Sequence, residues 1–583
     1  MIWDNNWREE TWARIPQDHW DVIVVGGGIT GAGILREAAR CRLRVLLVEM
    51  KDFAWGTSSR SSKMVHGGLR YLATGQLGLT MESVREREQL LEDGPGLIDP
   101  LGFLIATHKG DRPGKFTYGA GLAMYDLMAL QWSHRFYPPD DFRMLAPHLK
   151  TADLQGGFRY GDAQTDDARL VMRVIQEAVD DGGMAINYVK AEKLLHDADG
   201  QVIGVELRDA ETGETVAVRA RAVVNATGAW ADTLRQQVGG QVRMRPLRGS
   251  HLVFPSWRLP VAQAITFLHP FDRRPVFICP WEGVTLVGTT DIDHNDSLYE
   301  EPGISPEETA YLMAAAADQF PTLNLTLDDV IATWAGVRPV VGSGKDDPSK
   351  ESRDYVLWRE DGLMTVTGGK LTTFRAVAHA ALRQLQDKLP DLRALDRRQP
   401  VLDPVDVRLP ADISEPVRRR LLGRFGAHAE AVVRAAEPGE LTIIPGTLTL
   451  WAELRWAARA EGVVHLEDLL LRRTRLGLLL AAGGLDQAER IRAICQPELG
   501  WDDTRWEAEE AAYRDLWVEA YALPPRHLVP DWRANLAEAR ARREAAIRAE
   551  APRVRPWLIP VAILGALLLW WWLFRRLAAQ DDA

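Results

Sequence analysis

Three cations stand in otherwise unrelated segments of the chain: Arg338 in GVRP, Arg353 in SRDY and Lys370 in GGKLTT, each beside a glycine turn or at a strand end. Paired guanidinium groups hold an oxyanion such as a phosphate through a fixed fork of donors, which an ammonium, a single point charge, does not reproduce. His251, in RGSHLVFP, adds an imidazole whose ordinary pKa of about 6.5 lets it take a proton at neutral pH. Together these are groups that could fix a small anion and remove a proton from it. Taken singly they are weak signals, because most arginines are surface charges and a histidine in an apolar strand is usually a packed core residue. Their meaning depends on the element that brings them together.

That element runs from Asp21 to Tyr71. Val22–Val25 is an unbroken β-branched run, the pattern of a parallel strand buried on both faces. Gly26, Gly28 and Gly31 then supply G-x-G-x-x-G: one glycine for the reversal, one for close approach of a pyrophosphate, one for packing helix on strand. Ala32–Ala39 continues as a helix whose N-terminal amides favour phosphate. A second apolar strand, Val45–Val48, ends in Glu49, 18 residues past Gly31, where a carboxylate can accept from a ribose hydroxyl. A nicotinamide fold would proceed to its next strand. Here GTSSRSSKMVHGGLRYL follows (56–72), carrying Thr57, Ser58, Ser62, His66, Gly67 and Gly68, too polar and too glycine-rich for core, which separates a flavin from a nicotinamide.

Further along, two more strands run into glycine turns: Ala222–Asn225 into Ala226-Thr227-Gly228, and Leu363–Thr367 into Gly368-Gly369-Lys370, with Leu371 and Thr372 opening a helix. Their amides return to the same dinucleotide site. Helix signals mark Glu82–Leu91, stopped at Gly94-Pro95-Gly96; a helix opened by Asp166-Asp167; and Ser305–Phe320 with Pro306 in its first turn. Asp199-Gly200 and Thr212-Gly213 read as hairpin turns. The expected organisation is an N-terminal extension (1–20), an α/β domain over 21–390 with a mostly antiparallel sheet inserted at about 240–355, a proline-bearing linker (391–410) and an α-helical domain (411–550).

In order along residues 20–520, GTSSRSSKMVHGGLRYL, NATG before Trp230, RGSHLVFP, GTTDID from Gly288, GVRP, SRDY and GGKLTT resemble the FAD-dependent glycerol-3-phosphate dehydrogenase family. The resemblance implies a Rossmann-like fold of the glutathione-reductase/amino-acid-oxidase type and FAD at Gly26, Gly28, Gly31, Glu49, Thr57, Ser58, Ser62, His66, Gly67, Gly68, Thr227, Gly228, Gly369, Lys370, Leu371 and Thr372. It also implies Arg338 and Arg353 as the arginines on the substrate phosphate, with His251, Arg338 and Lys370 at the reacting centre. The activity so implied is oxidation of sn-glycerol 3-phosphate to dihydroxyacetone phosphate with electrons passed to membrane quinone. Two alternatives stay open: an oxidase that uses oxygen, and a membrane-tethered flavoprotein without turnover.

At 583 residues two or three domains are expected, and a net charge of -11 argues against a nucleic-acid binder. Cys41, Cys279 and Cys495 are far apart, giving neither a disulfide framework nor a metal site. The N-terminus carries Trp3, Trp7 and Trp12 but no signal-peptide pattern, so the body is expected in the cytoplasm. Pro556–Phe574 is 19 residues without a charge, about 28 Å as a helix, and reads as a single transmembrane helix into the lipid bilayer, unlike the peripheral attachment usual in the family. Six arginines between Arg540 and Arg555 keep its N-terminal flank cytoplasmic. A homodimer is neither required nor excluded.

Overall fold

The computed structural model describes residues 3, 4, 6–69, 77–111, 113–129, 132–342, 344, 351 and 354–549. The chain forms two compact units, Met1–Trp532 and Arg533–Ala583. From the second, the described part is the run of the helix Trp532–Ala549 beyond Trp532. Pro556–Phe574 lies outside the described residues; among the described residues no helix is long and apolar enough to cross a membrane.

The first sheet is built as the hydrophobic runs require. Trp20–Val25 lies between Val45–Val48 and Thr215–Asn225, all parallel, with Met184–Ile186 beyond one and Leu363–Gly368 beyond the other. Val45, Leu46, Leu47 and Val48 are completely buried, as expected for a strand covered on both faces. The edge strand Tyr355–Glu360 is antiparallel, and the hairpin Val189–His196/Val202–Asp209 extends from Thr215–Asn225. The helix Ile29–Arg40 packs on this sheet beside the helices Asp167–Asp180 and Phe374–Gln384. Gly33 allows the last contact, since a Cβ there would lie 2.8 Å from the Phe374 ring. Both helix starts are capped: Asp166 accepts from Arg169 N–H, and Ser305 and Glu308 close a capping box on the helix Pro306–Gln319.

The second sheet differs from the expectation of a mostly antiparallel insertion: it is mixed, has ten strands among the described residues, and draws on residues far outside 240–355. Met244–Pro255 pairs with Val284–Gly288 and Ala332–Val341, and Pro275–Trp281 leads to Ala264–Leu268. Ala264–Leu268 then runs parallel to Ile98–His108, which pairs with Leu154–Thr165. That parallel join adds strands from the first third of the chain. Strand patterning specifies which face is buried but not which distant strand is the neighbour.

The helices between Glu415 and Ala520 belong to the first unit. Buried ion pairs tie them to the first sheet's loops and helices: Asp52 with Arg472 (2.6 Å) and Arg473 (2.7 Å), Arg169 with Glu461 (2.7 Å), and Asp166 with Arg424 (3.0 Å). Arg472 and Arg473 end a π-helix, Asp468–Arg473, a widened turn that often marks a functional position. At the N-terminus Trp3 stacks on Trp7 (4.7 Å between centroids) and meets Phe53 (5.4 Å), so this arm is packed on the body.

Candidate active site

An open cleft with about 1250 Å³ of empty space lies where the parallel strands end, the usual ligand position in such sheets. Gly26, Gly28, Glu49, Thr57, Ser58, Thr227, Gly228, Gly369, Lys370 and Leu371 all line it. The glycines are required sterically. Gly26 sits at φ +114°, where a Cβ would be 2.6 Å from the Ala226 carbonyl oxygen, and a Cβ on Gly31 would be 1.9 Å from the Gly26 oxygen. Ile29 N–H, at the helix start, donates to Ser58 Oγ (2.9 Å). Glu49 accepts from Gly27 N–H (2.6 Å) and Lys51 N–H (2.9 Å), and burial pushes its carboxyl above the usual range against those amides. On the wall Trp230 has a buried indole N–H without a hydrogen-bond partner among the described residues. A glycine cradle, a helix N-terminus, an acceptor carboxylate and an unsatisfied donor form a set that suits FAD.

The second sheet brings His251 and Arg338 together on adjacent strands, where Leu247 is in register with Arg338 and His251 with Trp334. His251 is 2% exposed; its ring stacks on Trp334 (4.7 Å, 18°) and its Nε2 meets Ser62 Oγ at 2.9 Å. Burial, then the charges of Lys63 and Arg338, hold its pKa well below 6.5, so the imidazole is neutral. Arg338 donates from Nη1 to Asp291 Oδ1 (2.6 Å) and from Nη2 to Thr289 Oγ1 (3.3 Å), above Gly249, where a Cβ would be 2.6 Å from Nη2. Pro339, the next residue, lines the cleft. Lys370 Nζ donates to Ser83 Oγ (2.9 Å).

A family model described as FAD dependent oxidoreductase matches residues 21–375, and one described as the C-terminal domain of alpha-glycerophosphate oxidase matches 367–506. An aerobic glycerol-3-phosphate dehydrogenase of Staphylococcus aureus is 34% identical over 528 residues, 86% of this chain and 95% of the relative. The chain belongs to the FAD-dependent glycerol-3-phosphate dehydrogenase family. FAD is therefore its cofactor, in agreement with the cradle. The solved glycerol-3-phosphate dehydrogenase from Bacillus halodurans, complexed with FAD, superposes with a TM-score of 0.72 at 27% identity, covering 89% of this chain and 98% of that one. L-alpha-glycerophosphate oxidase from Mycoplasma pneumoniae, with FAD bound, shares the fold (TM-score 0.51, 18% identity, 63% and 95% covered).

In this dehydrogenase-family chain several named residues stand behind the cleft lining. Gly31 packs helix on strand. The His66 carbonyl oxygen accepts from Thr372 Oγ1 (3.4 Å), Gly67 N–H donates to Asp162 (3.1 Å), and Gly68 has φ +82°. Asp162 is fixed in turn by Arg87 (2.5 Å) and Tyr125 (3.0 Å). Arg353 lies outside the described residues. Sequence reading missed the groups that hold the site: Asp291 beneath Arg338, and Lys63 and Trp334 beside His251. It also missed Glu308, whose carboxylate accepts from Ser250 Oγ (2.8 Å) and Thr290 Oγ1 (2.6 Å), neighbours of His251 and Asp291. Asp291 lies in GTTDID and Lys63 in GTSSRSSKMVHGGLRYL, but their partners come from other strands and helices. The three cysteines are buried, and burial pushes the Cys279 thiol up to about 12, as befits packing residues.

Proposed function

We propose that the chain oxidises sn-glycerol 3-phosphate to dihydroxyacetone phosphate and passes the electrons to membrane quinone. The observation that carries this reading is the adjacency of two sites: Pro339 lines the FAD cleft, while Arg338 is held in a fork on Asp291 and Thr289 one strand from a neutral, buried imidazole. Oxidising a secondary alcohol removes a hydride from carbon and a proton from oxygen. FAD, when bound, supplies the two-electron acceptor. His251, neutral at physiological pH, takes the hydroxyl proton. Arg338 and Arg353 bind the phosphate and so fix the alcohol carbon, and Lys370 adds a positive charge on the cleft wall, where anionic character develops as the proton leaves. The test is anaerobic mixing with glycerol 3-phosphate, followed at the flavin absorbance, then reoxidation by quinone or by air. Bleaching followed by fast reoxidation with quinone is expected. No bleaching overturns the substrate, and faster reoxidation by air makes the protein an oxidase.

For the membrane, the reading rests on the uncharged run Pro556–Phe574 and the arginines before it. It crosses the cytoplasmic membrane once, with the catalytic body inside. A chain cut after Ala551 is expected to keep FAD and activity with a soluble dye while leaving the membrane after a high-salt wash, which strips electrostatic attachment only. Full retention of the cut chain would place the attachment elsewhere.

A further inference from the structure

Beside His251 lies a buried lysine that the reaction as drawn does not use. Lys63 is 1% exposed and occupies a left-handed backbone conformation (φ 60°) in the loop that also carries Ser62. Its Nζ donates to both oxygens of Asp167 (2.8 and 2.9 Å) and to the Ser59 carbonyl (2.5 Å). Ser61 donates to the same carboxylate through its N–H (2.9 Å) and its hydroxyl (2.7 Å). The loop is therefore fastened on both sides of Ser62, at Ser61 and at Lys63, to the start of the helix Asp167–Asp180. The Lys63 ammonium also lies 4.8 Å from the centroid of the Trp334 ring and 5.2 Å from that of Trp281. Trp334 is the ring on which His251 stacks, and its own indole N–H is fixed on the Arg60 carbonyl (3.2 Å).

We propose that Lys63 is a positioning residue for His251: anchored on Asp167, it holds Ser62 against the imidazole Nε2, and its ammonium, sharing the Trp334 ring with that imidazole, keeps His251 uncharged. The kinetic part rests on His251 as the proton acceptor proposed above; the coupling between the two side chains does not. Lys63 and Arg338 press on His251, both cationic. Around Lys63 stand Arg475, also cationic, and the carboxylates of Asp167 and Asp166. Burial and Arg475, against those carboxylates, bring Lys63 down to about 7. As pH falls from neutral, Lys63 is thus the first of the two to take a proton, and the charge it gains opposes protonation of the imidazole. The base stays in its accepting form well into the acid range.

The experiment uses the full-length, FAD-loaded protein with histidines labelled at the ring carbon; the His251 signal is assigned by its loss in His251→Asn. In the unaltered protein the signal stays neutral well below pH 6.5, and an imidazolium signal near pH 6.5 overturns the proposal whatever any variant does. In Lys63→Met the imidazole midpoint is expected to rise by about one pH unit or more, and in Lys63→Arg, which keeps a charge on Asp167, by much less. An unchanged midpoint in Lys63→Met overturns the proposal. In parallel, the acid limb of kcat/KM for glycerol 3-phosphate should move up with that midpoint, whereas a purely structural lysine would lower the rate at every pH and leave the limb in place. Should His251→Asn retain the full rate, His251 is not the proton acceptor and the proposed function fails at that residue, while the labelled signal still decides the coupling.

Discussion

Glu49 and Asp52 lie three residues apart after the same strand, one facing the cleft and the other the ionic seam that joins the first sheet's loops to the helices beyond Glu415. Among the described residues Glu49 is held by backbone amides, those of Gly27 and Lys51, and burial drives its carboxyl up. Burial pushes Asp52 up as well, but Arg473 and Arg472 outweigh it and hold the carboxyl at about 2. The difference lies in where the partner comes from. The seam draws its counter-charges from side chains of the chain itself, whereas on the cleft Glu49 meets backbone amides and the Trp230 N–H has no hydrogen-bond partner among the described residues.

The largest effect should come from breaking the seam. Asp52→Ala leaves Arg472 and Arg473 buried without their carboxylate and is expected to reduce stability by about 3–5 kcal/mol, read from urea unfolding. The sign of the pH dependence follows from the lowered pKa. The contribution of Asp52 is present above its unfolded value of about 3.9 and is lost as pH falls toward about 2, so the gap between wild type and variant should be full at neutrality and close in acid. A loss under about 1 kcal/mol at neutral pH would mean that the arginines find other partners, and the contrast with Glu49 would disappear.

The cleft was legible in the sequence because each of its parts is local. G-x-G-x-x-G fixes a turn within a few residues of itself, and the A-T-G and G-G-K turns declare their own strand and helix. The ten-stranded sheet was only partly legible. Short apolar runs such as Val284–Gly288 mark some of its strands, but the parallel pairing of Ala264–Leu268 with Ile98–His108 joins segments well over a hundred residues apart. The seam was not legible at all. Arg472, Arg473 and Arg475 look like any arginines of a charged helical region, and nothing within that region shows that their counter-charges are Asp52, Asp166 and Asp167. Local steric demands appear in a sequence; the choice of distant ionic partner does not.

Arg338 tests an intermediate case, since it is paired inside the chain with Asp291 yet stands next to the cleft. Arg338→Ala is expected to lower kcat/KM for glycerol 3-phosphate by roughly 30- to 150-fold, about 2–3 kcal/mol, the range of hydrogen bonds to a charged group. Glycerol, which has no phosphate, should lose little of its poor rate. If both substrates fall equally and the melting temperature drops with them, Arg338 behaves as a seam residue, and the phosphate must be held by others.

The smallest effect sharpens the comparison most, because the two carboxylates should then respond in opposite directions. Glu49→Gln keeps the side chain's shape and an acceptor oxygen but removes the charge, and its contribution to holding FAD should fall by about 1–1.5 kcal/mol, roughly five- to tenfold in retention on dilution. The FAD-free chain should not be weakened. Since the folded pKa of Glu49 is raised, its protonated form is favoured in the fold; any stability it gives is present below about 4.3 and declines as pH rises through the folded value. At neutral pH, therefore, glutamine relieves a buried charge, and the FAD-free variant should unfold at the same urea concentration as the wild type or a slightly higher one. Asp52→Ala loses stability with or without FAD, whereas Glu49→Gln loses only its hold on FAD. A Glu49→Gln protein that unfolds early without FAD would show that the carboxylate maintains the turn at Gly27 through the 2.6 Å amide contact, making it a structural group like Asp52.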